Sequence, residues 1–199
     1  MEKRGMPPII EILMKNIDSK PTAANVARIL IELAEQDRDV DQEPMTHMRL
    51  QKLLYYVQGW SLARRGQRAF DDRLEAWEHG PVVPVLYRQL KDNGKKPIDL
   101  SQLEKGEVDS DLKAFIASVW LDYRSHSAIR LRGMTHEESP WKDAWDKRFL
   151  PSHGQEEITE AALLGYFESI APKGVRKFKR TKPNQEWFDE PSPFLAEGA

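Results

Sequence analysis

The chain has 199 residues, of which 40% are hydrophobic and 31% are charged, and this composition suits one globular domain with a tail. Its formal net charge is -2, so the protein as a whole has no excess positive charge to attract the phosphates of a nucleic acid. Nucleic acid is therefore not an expected partner. The chain lacks cysteine, which excludes disulfides, thiolate zinc sites and cysteine nucleophiles and fits a reducing cytoplasm. No segment reaches the roughly 18 apolar residues that a membrane span needs, so we expect a cytoplasmic protein without membrane contact.

The first predicted element follows an N-terminal extension of residues 1–21 and is an amphipathic helix over residues 22–35, with Thr22 as its N-cap. After a charged linker, the hydrophobic pattern resumes at Thr46. It predicts a second helix that closes at Gly66, where two arginines suit the helix dipole and glycine suits the C-cap. The linker is more than twice as long as the tight turn of a helix-turn-helix motif, so DNA binding by that motif is not expected.

Residues 70–79 alternate in polarity, which predicts a short extended segment, such as one edge of a β-hairpin. Gly80 and Pro81 follow as a structural corner. A residue before proline avoids the helical region, so Pro84 is the natural first residue of the next helix. That helix is expected to end at residues 93–94.

Further along the chain, Ser110 is predicted to cap a helix with a broad apolar face that belongs to the core. This face consists of Leu112, Phe115, Ile116, Val119, Trp120 and Tyr123. A last helix is predicted over residues 159–168. The elements together predict a mainly α, compact multi-helix domain over residues 22–170, with a short β-hairpin or strand segment around residues 70–79.

A short helix is also predicted beside Trp141, but its start has two alternatives. Thr135 and Glu138 have the spacing of a capping box, whereas Ser139 followed by Pro140 offers a second N-terminus. The sequence leaves both open.

Residues 171–199 have a different composition, in which a basic run is followed by an acidic stretch with aromatic residues. No periodicity supports a packed element, so we expect a flexible tail or one that a partner orders. Trp187, Phe188 and Phe194 have no core to join there, and we therefore expect them to contact a partner.

The sequence gives little support for a catalytic centre, a metal site or a cofactor. The five histidines are spread singly along the chain, and the residue four positions after His136 is Pro140, so the HExxH zinc motif fails. No GxSxG elbow, SxxK pair or glycine-rich phosphate loop occurs. We therefore expect no catalytic residues, no metal and no cofactor. An enzyme using Glu78, His79 or His136 for acid–base chemistry remains the alternative from another class.

Aromatic residues beside turns suggest a surface for protein contact, because tryptophan and tyrosine are enriched at the centres of interfaces. Trp77 and Trp141 are of this type. The alternative that both simply close a small core is favoured by the usual burial of tryptophan.

Three segments in a fixed order carry a family resemblance. They are "LQKLLYY" at residues 50–56, "WEHGPV" at residues 77–82 and "THEESPW" at residues 135–141. Their order resembles the Panacea domain of SocA-like bacterial and phage antitoxins. The resemblance implies a mostly helical domain that neutralises a cognate toxin, usually encoded beside it, by direct binding. In the SocA branch it implies instead an adaptor that delivers the toxin to the ClpXP protease.

The resemblance and the aromatic pattern together give a set of expected toxin-binding residues. They are Trp77, Glu78, His79, Tyr87, His136, Trp141, Trp187 and Phe188. Gly80, Pro81 and Pro84 are expected to form the structural corner. We expect His79 to bond locally, to orient this corner and to face His136, so that the His79→Ala change would damage packing.

Overall fold

The computed structural model describes residues 21–37, 43–147 and 156–172. Within these ranges the fold is mainly α, as predicted, with seven α-helices and one two-stranded antiparallel sheet. The elements in chain order are α1 (Ala23–Gln36), α2 (His47–Trp60), β1 (Glu75–Trp77), β2 (Gly80–Val82), α3 (Pro84–Leu90), α4 (Ser110–Tyr123), α5 (Ala128–Glu137), α6 (Ser139–Lys147) and α7 (Glu160–Ile170). In the described part of the chain, none of the helices is long and apolar enough to span a membrane. The predictions for Trp187, Phe188 and Phe194 fall outside the described residues.

Helix α2 is the central element, because every one of its residues except Met48 is buried. A helix that is covered on all sides must find partners for its polar side chains. The Gln58 amide does so by donating to the carbonyl of Phe70 at 3.0 Å and accepting from the Ala69 amide at 2.9 Å. The Arg49 guanidinium donates to two backbone carbonyls and lies 5.3 Å from the Trp120 ring centre. These bonds fix the loops around α2.

The predicted starts of the first two helices and the predicted stop at Gly66 are confirmed, whereas the α-helix that begins at Pro84 ends at Leu90 and only a 3-10 turn continues to Asn93. The Thr22 hydroxyl accepts from the backbone of Asn25 and caps α1, and Thr46 caps α2 in the same way. After α2 the chain continues as a π-helical turn over Ser61–Arg65 and stops at Gly66, whose φ of 67° is left-handed. The local signals in the sequence therefore place these ends correctly.

The β segment is a hairpin, and it is shorter than the predicted range of residues 70–79. Strand β1 contains only Glu75–Trp77, and Gly80–Val82 form the second strand, which the sequence had suggested only as a corner. The predicted start of α3 at Pro84 is confirmed. On the other edge of β1, the Ala76 amide donates to the Glu156 carbonyl at 2.9 Å, and the Ile158 amide donates to the carbonyl of Leu74, just before the strand, at 2.8 Å. This third segment explains why so short a hairpin is stable.

Two helix predictions in the second half need correction. Asp109, and not Ser110, caps α4, because its carboxylate accepts from the Leu112 amide at 2.8 Å. Helix α5 was not predicted at all, since its exposed side carries apolar Ile129 and breaks the amphipathic pattern. Thr135 therefore lies in the last turn of α5, and its capping-box role is wrong.

The start of the following helix agrees with the second alternative, because α6 begins at Ser139. The last helix, α7, begins after its N-cap Thr159 as predicted and extends to Ile170.

Gly59 is expected to be required for the packing of α7 on α2. A Cβ atom at this position would lie 2.1 Å from Cε2 of Phe167, which is itself fully buried. The Gly59→Ala change should therefore lower the free energy of unfolding by roughly 1–3 kcal/mol, or prevent folding. Gly165→Ala, on the exposed side of α7 with no atom within 4 Å, is the control and should be neutral or slightly stabilising. Equal urea midpoints for the two variants would contradict this packing.

Candidate functional site

The three motif segments of the sequence meet at one corner of the fold. Lys52 comes from α2, Gly80 and Pro81 from β2, and Thr135 from the last turn of α5; we call these four residues the corner network. Gly80 has a φ of 96°, and a Cβ atom there would lie 2.8 Å from Cε of Lys52 and 2.9 Å from Oγ1 of Thr135. Only glycine suits both this backbone conformation and this close approach.

Lys52 is the buried polar anchor of the corner network. Its side chain is 1% exposed, and its Nζ donates to the carbonyl of Pro81 at 2.8 Å. Burial, and then the charge of Arg132, lower the pKa of Lys52 to about 7. Sequence reasoning missed this residue. The available signal was a lysine inside the otherwise apolar run of a buried helix, where a charged side chain needs a specific partner.

A second polar link joins α2 to the beginning of α3. The Gln51 side chain accepts from the Val83 amide at 2.8 Å and lies 3.2 Å from Nε2 of His47. Val83 precedes the proline that starts α3 and has no side-chain cap of its own. Burial and the charge of Lys52 lower the pKa of His47 to about 4, so this imidazole is neutral at pH 7.

Aromatic rings continue from this link to the hairpin. The Tyr87 ring lies between the rings of His47 and Trp77, with centroid distances of 4.8 Å and 4.7 Å, and we call these three residues the aromatic row. Trp141 donates from its indole nitrogen to the carbonyl of Trp77 at 3.0 Å, and its ring stacks on His136 at 4.0 Å. The hairpin is thus tied to α3, α5 and α6 by ring contacts and one hydrogen bond.

The structure brings six of the eight expected toxin-binding residues to this region. Glu78 and His79 are exposed in the hairpin turn, whereas Trp77, Tyr87 and His136 are half-buried. Trp141 is only 6% exposed, so it packs in the core and supports the others. The remaining two, Trp187 and Phe188, lie outside the described residues.

The expected role of His79 is corrected by the structure. His79 is exposed and makes no hydrogen bond to any described residue, so it does not orient the corner by local bonding. The conformation of Gly80 and the bond from Lys52 to Pro81 do that instead. His79 is nevertheless near His136, because its charge contributes to lowering the pKa of that residue.

His136 lies in surroundings that disfavour its protonated form. Burial lowers its pKa to about 4, helped by the charges of Arg132, Lys52 and His79 in that order, and Glu137 opposes this shift. Its Nε2 is shielded from solvent and has no hydrogen-bond partner among the described residues. A shielded imidazole with a low pKa is a weak proton acceptor.

Glu138 connects the end of α5 to the centre of the domain. Its carboxyl group accepts a hydrogen bond from the Tyr56 hydroxyl at 2.9 Å, and the Tyr56 ring stacks on Tyr123 at 4.0 Å. Burial raises the pKa of Glu138 to about 7, so the neutral acid is well populated at pH 7. In the described part of the chain, no three His, Asp or Glu side chains are arranged to hold a metal ion.

Comparison with known proteins gives a match that covers this corner. The family model described as antitoxin SocA-like, Panacea domain, matches residues 50–142. Antitoxin SocA of Caulobacter vibrioides (strain NA1000 / CB15N) is 33% identical over 110 residues. Residues 50–142 are therefore similar to the Panacea domain of SocA-like antitoxins. The match covers 49% of this chain and 58% of that relative, so this chain spans little more than half the length of the curated protein it resembles. No solved structure matches the chain significantly.

The corner network and most of the aromatic row lie within the residues that the family model matches. Helices α1 and α7 lie outside the matched residues, although both pack on α2. The wider domain boundary at residues 22–170 stays a prediction.

The corner network predicts a large loss of stability for a change at Gly80 and almost none for a change at its neighbour His79. Gly80→Ala should lower the free energy of unfolding by about 1–3 kcal/mol, because it strains the backbone and collides with Lys52 and Thr135. His79→Ala should change it by less than about 0.5 kcal/mol, since that side chain is exposed. Thermal and urea unfolding of both variants check this. A His79→Ala variant as unstable as Gly80→Ala would restore a structural role for the imidazole.

Glu138 predicts a pH dependence of stability. Its pKa is about 7 in the folded state against an ordinary 4.5, so the folded state binds more protons than the unfolded state between these values. The contribution of Glu138 to stability is therefore complete below about pH 4.5 and is lost as the pH rises to about 7. The difference in unfolding free energy between the parent and Glu138→Gln should fall across this window, by the order of 2–3 kcal/mol.

This difference isolates Glu138, because His47 and His136 contribute equally to both proteins. Glu104→Gln, which removes an exposed carboxylate, is the control and should keep the pH profile of the parent. If the unfolding free energies of the parent and of Glu138→Gln change in parallel from pH 4 to 8, the pKa of Glu138 is not raised in the folded state.

Proposed function

We propose that this protein is an antitoxin that neutralises a cognate toxin by direct protein–protein binding. The observation that carries the proposal is the Panacea domain match at residues 50–142, together with the identity to a protein named Antitoxin SocA. The toxin is expected to be encoded by the adjacent gene. The expected location is the cytoplasm.

The distribution of bonds around the corner supports binding rather than chemistry. The polar groups that could react, Lys52 and Glu138, are turned inward and hydrogen-bonded to Pro81 and Tyr56. What faces solvent is the hairpin turn with Glu78, beside half-buried aromatic rings. Aromatic side chains held rigidly by their neighbours are well suited to anchor a protein partner, because little conformational entropy is lost on binding.

Within this proposal, the hairpin turn and the aromatic row contact the toxin. Trp77 and Tyr87 are the expected anchors, and Glu78 and His79 are polar contacts at the edge. Trp141 holds Trp77 in place through its hydrogen bond. The contribution of Trp187 and Phe188 remains a prediction from the sequence.

Two alternatives differ from this proposal in measurable ways. An adaptor that delivers the toxin to ClpXP would need the protease for neutralisation. An enzyme using Glu78, His79 or His136 would neutralise at substoichiometric amounts. The shielded Nε2 and low pKa of His136 argue against it as a general base.

The test is coexpression with the product of the adjacent gene. We expect that product to stop growth alone and to be tolerated with this protein, near a one-to-one ratio and also in a strain without ClpX. Tyr87→Ala should weaken the purified complex by about tenfold or more, as expected for an aromatic anchor. Leu121→Ala, which truncates a half-exposed residue of α4, is the control and should leave affinity unchanged.

Each failure has a separate meaning. An adjacent product that is harmless, or that this protein neither binds nor neutralises, contradicts the antitoxin proposal. Neutralisation that disappears without ClpX indicates the adaptor, and neutralisation at a small molar fraction indicates the enzyme.

A further inference from the structure

One side of α5 is exposed next to the corner and is not explained by the fold. Ile129, Arg132, Gly133 and His136 are spaced i, i+3, i+4 and i+7, so they share one side of the helix, and we call them the α5 face. The buried side of α5 is formed by Ala128, Leu131 and Thr135.

The α5 face is unusually open and apolar at one end. Ile129 is 77% exposed, more than any other large hydrophobic residue in the described part of the chain. A single exposed apolar side chain is ordinary on a protein surface. Here, however, Gly133 lies beside it, and a Cβ atom at Gly133 would have no atom of a described residue within 4 Å. A partner could therefore pack on Ile129 and approach the helix backbone closely.

The other end of the α5 face is positively charged. Arg132 forms no ion pair with any described residue. The buried Lys52 side chain lies against the same helix, because a Cβ atom at Gly80 would be 2.9 Å from both Lys52 Nζ and Thr135 Oγ1. His79, exposed in the hairpin turn, is the neighbour of Gly80, whose Cβ position is 2.9 Å from Oγ1 of Thr135 on this helix. The nearby carboxylate of Glu137 is engaged by Lys142 at 3.3 Å. Within the described part of the chain, Arg132 thus lacks a counter-charge, and a carboxylate from outside would complement it.

These features favour a protein partner over a nucleic acid. Binding to a phosphate backbone relies on several cations along a track, whereas here one arginine stands beside an isoleucine and a bare stretch of helix. Arginine next to apolar surface is instead typical of protein interfaces. The α5 face also continues into the aromatic row, because His136 stacks on Trp141, which is bonded to Trp77.

We propose that the α5 face docks an acidic surface of the toxin, with a carboxylate paired to Arg132 and apolar side chains covering Ile129 and Gly133. This inference rests on the proposed antitoxin function. It adds a second contact surface beside the hairpin and specifies the chemistry of the partner.

A charge-reversal pair tests the electrostatic part, with the purified adjacent-gene product as the probe. Arg132→Glu should weaken binding by about tenfold or more, mostly by slowing association, and should reduce the salt dependence of the affinity. Arg130→Glu is the matched control. It lies on the same helix, outside the α5 face and exposed, and should change the affinity by less than about twofold. Arg132→Gln provides a milder variant if charge reversal disturbs folding, and melting curves accompany all three.

A site-specific crosslink tests the location without relying on charge. Since the chain contains no cysteine, a single cysteine can be labelled cleanly. Gly133→Cys carrying a benzophenone maleimide should crosslink to the toxin on irradiation, through a toxin peptide rich in Asp or Glu. Gly165→Cys is the matched control, because Gly165 is also an exposed helical glycine with no atom within 4 Å of a Cβ position, and it should give no crosslink.

The outcomes separate this inference from the proposed function. If the parent neutralises and binds the adjacent product while Arg132→Glu binds as tightly and Gly133→Cys gives no crosslink, the α5 face is wrong and the antitoxin proposal stands. If the parent protein does not bind the product of the adjacent gene, both the antitoxin proposal and the α5-face inference are contradicted. If a labelled single-stranded RNA binds the parent and Arg132→Glu abolishes that binding, the face serves nucleic acid and the inference is overturned.

Discussion

The Lys52 ammonium reaches from the centre of the domain to the carbonyl of Pro81, and the hairpin depends on this contact. A two-stranded hairpin of this length is marginal in water, so it must be held by the elements around it. Burying a lysine is costly unless it is hydrogen-bonded, which makes the position of its acceptor a strict requirement. Glycine at position 80 lets β2 come close enough to place this acceptor, because any side chain there would occupy the space of Lys52 and Thr135. One buried donor thereby fixes the position of β2 against α2 and α5.

The rest of the corner follows from that placement. Once β2 is fixed, its partner strand presents the carbonyl of Trp77 to the indole of Trp141, and the stacking of Trp141 on His136 joins α6 to α5. Glu138 then lies against Tyr56 of the central helix. Breaking such a network by removing one member leaves a buried polar group without a partner, which costs more than the bond itself. The corner is thus a scaffold in which the side chains of Lys52 and Glu138 are hydrogen-bonded within the fold.

The sequence predicted the elements whose signals are local. Thr22, Thr46 and Pro84 mark helix starts through their own side chains, and the structure places them as expected. The roles of Lys52 and Glu138 could not be predicted, because their partners lie 29 and 82 positions away along the chain. His79 was misjudged for the same reason: a motif shows which residues occur together, but whether a side chain points inward depends on the tertiary structure.

Helix α5 was not predicted for a different reason, which concerns the residues on its exposed side. An amphipathic helix is recognised by a polar outer side, and α5 instead exposes Ile129 and Gly133 there. Sequence rules tend to fail where a surface is shaped by something other than stability. Neither Ile129 nor the Arg132 side chain takes part in the hydrogen bonds that hold the corner, so these residues can change without loss of the scaffold. Under the proposed antitoxin function, the residues that hold the fold together are separate from those that would contact the toxin, so the α5 face could be matched to one toxin while the corner beneath it stays the same.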